Sequence, residues 1–271
     1  MPGRSVTDAA DSAAWDRLRA ELDRWPAGGA TLWWRDDDAG AATSAFDQLL
    51  RLAEAHGTPL ALAVVPAWLD EAVAAAIDAG PAGLRVLQHG YAHRNHEPPA
   101  PDGGRGKPAE LGAARPPDAA LAELGAGWAR LMALVPARLR SGLVPPWNRI
   151  APAVRDRLPG AGYRVLSTFG PRATGLAAPG LRALNTHVDP IQWRADKRFG
   201  GTAWTVDQIT RHLGVRRTGD VDPSEPTGLL THHRDFSPTA WACLDELLGR
   251  LRAHPAVGFP ALDRLLENRE G

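Results

Sequence analysis

The feature that most constrains this chain is an alternation. Short apolar runs rich in β-forming residues are each followed, after a brief turn, by a stretch whose apolar side chains recur at helical spacing. Ala30-Thr31-Leu32-Trp33-Trp34 precedes a helix predicted over 44–56, where Phe46, Leu49, Leu50 and Leu52 share a face and Gly57 ends the pattern. Residues 59–66 form a second buried run, before an Ala-rich helix over 69–79, and Leu84-Arg85-Val86-Leu87 is the third. The rhythm resumes with helix 117–134, strand 139–144, helix 154–161, strands 163–169 and 181–188, helix 205–213, strand 227–231, helix 238–252 and a strand-like 257–259. This order argues for parallel βαβ units, and about seven to eight strands close most naturally as a single irregular (β/α) barrel. A helix over 13–25, with Trp15, Leu18, Leu22 and Trp25 in register, precedes it. The expected organisation is an N-terminal helical extension, 1–29, and a barrel, 30–271. A Pro/Gly-rich loop at 97–117 interrupts the barrel and hangs over the same mouth as the histidines before it. An interdomain linker is the competing reading of that loop, but the βα rhythm continues after it without a change of composition. No internal repeat is visible.

Composition narrows the function classes. Lys plus Arg and Asp plus Glu each total 31, so no global charge draws the chain to nucleic acid or an anionic membrane. The single cysteine, Cys243, excludes an intrachain disulfide and a cysteine-rich zinc module, and its amphipathic helical context marks a buried structural thiol. No apolar run is long enough to span a bilayer, and the first residues hold no apolar signal core, so a cytoplasmic location is expected.

The chemistry-bearing residues sit where predicted strands end. Three histidines fall in Gln88-His89-Gly90-Tyr91-Ala92-His93-Arg94-Asn95-His96; on a helical turn, the four-residue spacing of His89 and His93 would put both imidazoles on one side. Two imidazoles and a carboxylate from elsewhere would make a metal site, against a polar loop rich in histidine by chance. Strand 30–34 runs into Arg35-Asp36-Asp37-Asp38, three carboxylates that repel one another unless a cation or shared proton offsets them, or unless they form a solvated turn. Pro145-Pro146-Trp147-Asn148-Arg149 presents an aromatic on a rigid backbone, Asp189 and Trp193 follow strand 181–188, and His232 follows strand 227–231. In a barrel these ends converge on one face.

Taken together, these motifs resemble the polysaccharide deacetylase (NodB-homology) superfamily, a glycoside hydrolase/deacetylase type of barrel. The resemblance spans residues 30–262. It implies a hydrolase that removes an N-acetyl group from an amino sugar or related glycan, with Asp37 as base, Asp38, His89 and His93 holding Zn²⁺ or another divalent transition metal, and His232 as acid. Trp147, Asn148, Arg149, Asp189, Trp193 and Tyr91 would contact substrate, and a backbone N–H near Trp147 would receive the oxyanion. The shifted pair, Asp36 and Asp37, remains an alternative. The family's bracing arginine is missing, because Val144 occupies its place; Arg149, Arg140 and Arg35 are the candidate substitutes. The expected partner is a small carbohydrate or N-acetylated metabolite, with neither nucleic acid nor membrane. Two other readings stay open: a metal-dependent hydrolase of non-sugar C–N bonds, and a non-catalytic carbohydrate-binding barrel.

Overall fold

The computed structural model describes residues 6–100, 106–194 and 196–267. Strands β1 (Ala30–Ala39), β2 (Ala61–Val64), β3 (Arg85–His89), β4 (Leu139–Val144) and β5 (Val165–Leu166) pair in that order, all parallel. The sheet continues through β7 (Leu181–Ala183), against which β6 (Leu176–Ala178) runs antiparallel. Strands β8 (Ile191–Gln192) and β9 (Arg198–Phe199) form a separate antiparallel hairpin. On the far side of β1 lie β10 (Thr227–Thr231) and, at its start, β11 (Val257–Gly258). Helices α1 (Val6–Leu22), α2 (Ser44–Ala55), α3 (Glu71–Ala79), α4 (Pro117–Leu134), α5 (Pro152–Arg155), α6 (Thr202–Thr218), α7 (Pro238–Ala253) and α8 (Leu262–Glu267) complete the chain.

The architecture is the predicted mixed α/β fold, with one correction to its closure. Among the described residues the ladder is not continuous between β7 and β10. A single bridge, Val188 to Leu229, spans the gap, with His187 N–H donating to Gly228 O at 2.7 Å and Leu230 N–H to Val188 O at 2.8 Å. The strand expected over 181–188 therefore shrinks to three residues. Its second half shares its backbone groups between two neighbours, Thr186 meeting Thr168 and Gly170 while His187 and Val188 meet Gly228. No neighbour pairs with it long enough to make a ladder.

Local chemistry explains the helices. Thr43 caps α2 by accepting from Phe46 N–H at 3.1 Å, Asp70 caps α3 through Val73 N–H at 2.8 Å, and Ser237 caps α7 through Ala240 N–H at 3.2 Å. Helix α4 begins at Pro117, whose missing N–H has no intrahelical role in a first turn. Phe46 and Leu49 of α2 are fully buried, each contributing roughly 1.5–3 kcal/mol. Helix α1 lies on α6, fixed by the Arg17 fork on Asp207 (2.8–3.0 Å) and by Arg217 on Glu21. Arg216 of α6 is buried and donates to Thr31 O (2.8 Å) and Thr227 Oγ1 (3.0 Å), tying that helix to β1 and β10.

Candidate metal centre and active site

Strand β1 carries all three aspartates inside it, not just past its end as the sequence suggested. Alternation along a strand would put Asp36 and Asp38 on one face and Asp37 on the other. The pairing with β2 instead shifts register between Asp36 and Ala39, and Asp38 has φ +66°. Such a bulge re-aims a side chain, and the three carboxylates separate into three environments.

Asp36 points into the protein. It accepts from Thr231 Oγ1 (2.6 Å), His233 N–H (3.0 Å) and the His233 ring (2.5 Å), and Thr231 in turn accepts from the Trp34 indole (2.9 Å). Burial works against a charged His233, but Asp36 holds its pKa above the ordinary value. Asp37 is gripped by Arg35, two residues earlier on the same face: Nε to Oδ1 at 2.8 Å, Nη2 to Oδ2 at 3.0 Å, both side chains essentially inaccessible. Arg35 also donates to Ser167 Oγ (2.6 Å) and Asn148 Oδ1 (2.8 Å). Of the three arginines that could stand in for the missing one at Val144, it is Arg35 that meets the aspartate. Arg149 donates to Pro108 O (2.8 Å) and Arg140 pairs with Asp263.

Asp38 faces the histidines. Its Oδ1 lies 3.2 Å from His89 Nε2 and 3.3 Å from His93 Nε2, and it is buried without a hydrogen-bond partner. His89 Nδ1 is 2.9 Å from Val144 O, a pure acceptor, so that nitrogen carries the proton and Nε2 turns its lone pair toward Asp38. Two lone pairs facing each other in a buried site require positive charge between them, either a proton or a metal ion. Ligand atoms on a tetrahedral zinc at about 2.0–2.1 Å stand about 3.3 Å apart. The residues therefore fit a divalent cation. Burial opposes charge on all three. Asp38 nevertheless sits below the ordinary carboxylate range because of the His89 and His93 imidazoles beside it. His89 is raised by Asp38 and Asp37, whereas burial and the adjacent His89 charge push His93 down to about 4.

Residues 89–93 do not form the helical turn that the spacing suggested. His89 ends β3, and the chain turns through Gly90 (φ +54°) to His93 (φ +54°). A Cβ at Gly90 would lie 2.0 Å from Glu110 Oε2 and 2.6 Å from Pro146 Cγ, so only glycine fits. Glu110, fully buried, accepts from Tyr91 N–H (3.2 Å) and Ala92 N–H (2.8 Å) and fixes this turn. It comes from the Pro/Gly-rich loop, whose described end is fastened by Asn95 Oδ1 to Ala109 N–H (3.0 Å) and by Ala151 N–H to Leu111 O (2.8 Å). No periodicity or motif pointed to Glu110.

The other expected residues reach the same mouth with uneven roles. Trp147, at φ +56°, sets its ring 4.2 Å from that of His93. Asp189 accepts from the Trp193 indole (2.7 Å) and Ile191 N–H (2.9 Å), and burial raises its pKa against the opposing charge of His232. Trp193 stands edge-on to His232 at 4.6 Å, and His232 Nδ1 is buried without a partner. Tyr91, between His89 and His93 in the chain, is half-buried. Asn148 and Arg149, expected to meet substrate, spend the polar groups named above on Arg35 and Pro108. Trp68, not foreseen, packs 5.6 Å from the His93 ring.

No family model matches the sequence, nor does any curated protein. Solved structures do. A protein from Mycobacterium smegmatis assigned as a polysaccharide deacetylase superposes with a TM-score of 0.67 at 16% identity, covering 90% of this chain and 91% of its own. The fold is that of the polysaccharide deacetylases. Two further members agree: the peptidoglycan deacetylase PdaC from Bacillus subtilis (TM-score 0.53, 14% identity, 88% and 90% covered), and a family 4 acetyl xylan esterase from Clostridium thermocellum in complex with cobalt (TM-score 0.53, 13% identity, 87% and 89% covered).

A second His-His-carboxylate group lies away from the mouth of this polysaccharide deacetylase fold. His187, His212 and Glu225 also bring ligand atoms within 4.8 Å of one another. The two rings stack at 3.6 Å, and His187 Nε2 is 3.3 Å from Glu225 Oε2. Here, however, Gly228 N–H donates to His187 Nδ1 (2.9 Å), so the ring proton resides on Nε2 and that ring offers a cation no lone pair. Arg172 N–H donates to Glu225 Oε2 (2.9 Å), and the Arg216 charge lies close by. Burial keeps both histidines neutral, His212 with its pKa pushed down to about 3.

Proposed function

We propose that the protein is a metal-dependent hydrolase that removes an N-acetyl group from an amino sugar or related glycan, with zinc held by Asp38, His89 and His93. The observation that carries this reading is the orphaned Asp38 Oδ1 at 3.2 and 3.3 Å from two imidazole nitrogens, next to an aspartate clamped by an arginine. When bound, the cation would polarise the acyl carbonyl and make water a better nucleophile.

The chain's own residues do the rest. Arg35 fixes the orientation of Asp37 through its two-pronged contact, so that the carboxylate takes the proton of the attacking water. His232, whose Nδ1 is buried without a partner, protonates the departing nitrogen. Trp147 and Trp193 wall the sugar from two sides, and a backbone N–H near Trp147 receives the developing oxyanion. The substrate is a glycan or smaller N-acetylated metabolite, and the cytoplasm is the proposed location; no helix among the described residues is long and apolar enough to cross a membrane. The non-catalytic alternative drew its support from the arginine missing at Val144, and the Arg35–Asp37 pair removes that support. The test is amine release from N-acetylated amino sugars by zinc-loaded protein beside Asp37→Asn. The reading requires turnover that falls by at least about a hundredfold in the variant; equal turnover in both would overturn it.

A further inference from the structure

Several surface arginines find carboxylates: Arg17 meets Asp207, Arg157 meets Asp118, Arg250 meets Glu246. Arg234 does not. It is exposed, two residues beyond His232, and no described residue accepts a hydrogen bond from it or pairs with it. Its guanidinium lies over the Trp68 ring at 5.1 Å, and that ring packs 5.6 Å from His93. A second pair repeats the arrangement: Lys197 Nζ lies 5.3 Å over Trp193, whose ring touches His232 at 4.6 Å. Lys197 differs in being neutralised by Asp235 at 2.8 Å. Of the two cations held on tryptophan faces beside the site histidines, Arg234 thus keeps an uncompensated charge.

An aromatic face orients a guanidinium without consuming its N–H donors, which stay free for an anion with two acceptor oxygens. Asp37 is already compensated by Arg35, and Asp38 would be by its cation, so the site's own carboxylates do not satisfy Arg234. Arg94, next to His93, and Arg198, on the β8–β9 hairpin, are likewise exposed without an ion pair among the described residues. Arg234 and Arg94 thus set uncompensated positive charge close in sequence to His232 and His93, although the chain as a whole carries no net charge. We infer that the substrate carries an anionic group, carboxylate or phosphate, close to its N-acyl group, and that Arg234 on Trp68 receives it. This inference rests on the deacetylase reading only for the identity of the N-acyl group; the anion site itself is separable.

The probes are N-acetylglucosamine, N-acetylglucosamine 6-phosphate and N-acetylmuramic acid, a neutral sugar and two anionic ones that distinguish phosphate from carboxylate. Binding to the zinc-loaded protein is read by tryptophan fluorescence, and turnover by amine release, in wild type, Arg234→Gln and Arg234→Lys, with Arg51→Gln on α2 as a remote control. At least one anionic sugar should bind about tenfold more tightly than the neutral one. That preference should collapse in Arg234→Gln, persist in part in Arg234→Lys, survive unchanged in Arg51→Gln, and shrink with added salt. Anionic preference without turnover would sustain the anion site while sinking the deacetylase reading. Turnover with no anionic preference, or a preference that Arg234→Gln leaves intact, would overturn the anion site while the deacetylase reading stood.

Discussion

The protein holds two clusters of the same composition, two histidines and a carboxylate, with a closest imidazole–carboxylate separation of 3.2 Å in one and 3.3 Å in the other. Distance does not tell them apart; the partner of the remote ring nitrogen does. His89 Nδ1 faces a carbonyl, so its lone pair points inward, whereas His187 Nδ1 receives an amide N–H, so a proton points inward. Their charge surroundings agree: aspartates lie around the first pair, and Arg216 and Arg172 beside the second. The first cluster is suited to a cation, and the second is a buried brace between α6, β10 and the stretch before Asp189. A ligand set is therefore defined by what holds the ligands as much as by their identity.

The largest effect expected is on turnover. Asp38→Asn or His89→Ala should abolish measurable amine release, a loss of at least about a thousandfold, while His187→Gln should retain most of it. Comparable losses in both would erase the distinction. Next comes stability. Arg35→Met leaves the Asp37 carboxylate buried and unpaired and should cost about 3–5 kcal/mol in a denaturant titration. Adding Asp37→Asn should recover part of that loss, and no recovery would deny that the two act as a pair. Smaller still is the support under the turn. Glu110→Gln should leave the fold intact and weaken zinc affinity by about ten- to a hundredfold, the range for partners that orient ligands; unchanged affinity would reduce Glu110 to packing.

The brace should show itself through pH. His212 titrates at about 3 in the folded protein against an ordinary 6.5, so the unfolded chain binds its proton first as pH falls. Its contribution is complete above about pH 6.5 and is lost as pH drops toward 3. The melting temperature should decline through that window, and the decline should be shallower in His212→Gln. An identical slope would remove His212 from the account.

Much of this was legible in the sequence, for identifiable reasons. Helix α4 and strands β4 and β10 fall where apolar periodicity, Pro117 and the flanking turns placed them. The convergence of Asp37, Asp38, His89, His93 and His232 followed from their positions at strand ends. What stayed hidden depends on direction, not identity. No residue pattern announces the bulge that turns Asp38 away from Asp36, or that Arg35, sharing a strand face with Asp37, would replace an arginine absent from another strand. Glu110 was hidden because its segment reads as proline- and glycine-rich coil, and its function lies in contacts 18 and 19 residues away in the chain. The short, shared hydrogen bonds that replace a strand at 184–188 likewise have no local signature.

The most direct test is metal content by elemental analysis after zinc loading and dialysis, on wild type, His89→Ala/His93→Ala and His187→Gln/His212→Gln. The account predicts about one equivalent in the wild type and in the second double variant, and none in the first. Zinc retained by the first double variant, or lost from the second, would place the ion at the other cluster and contradict the central claim.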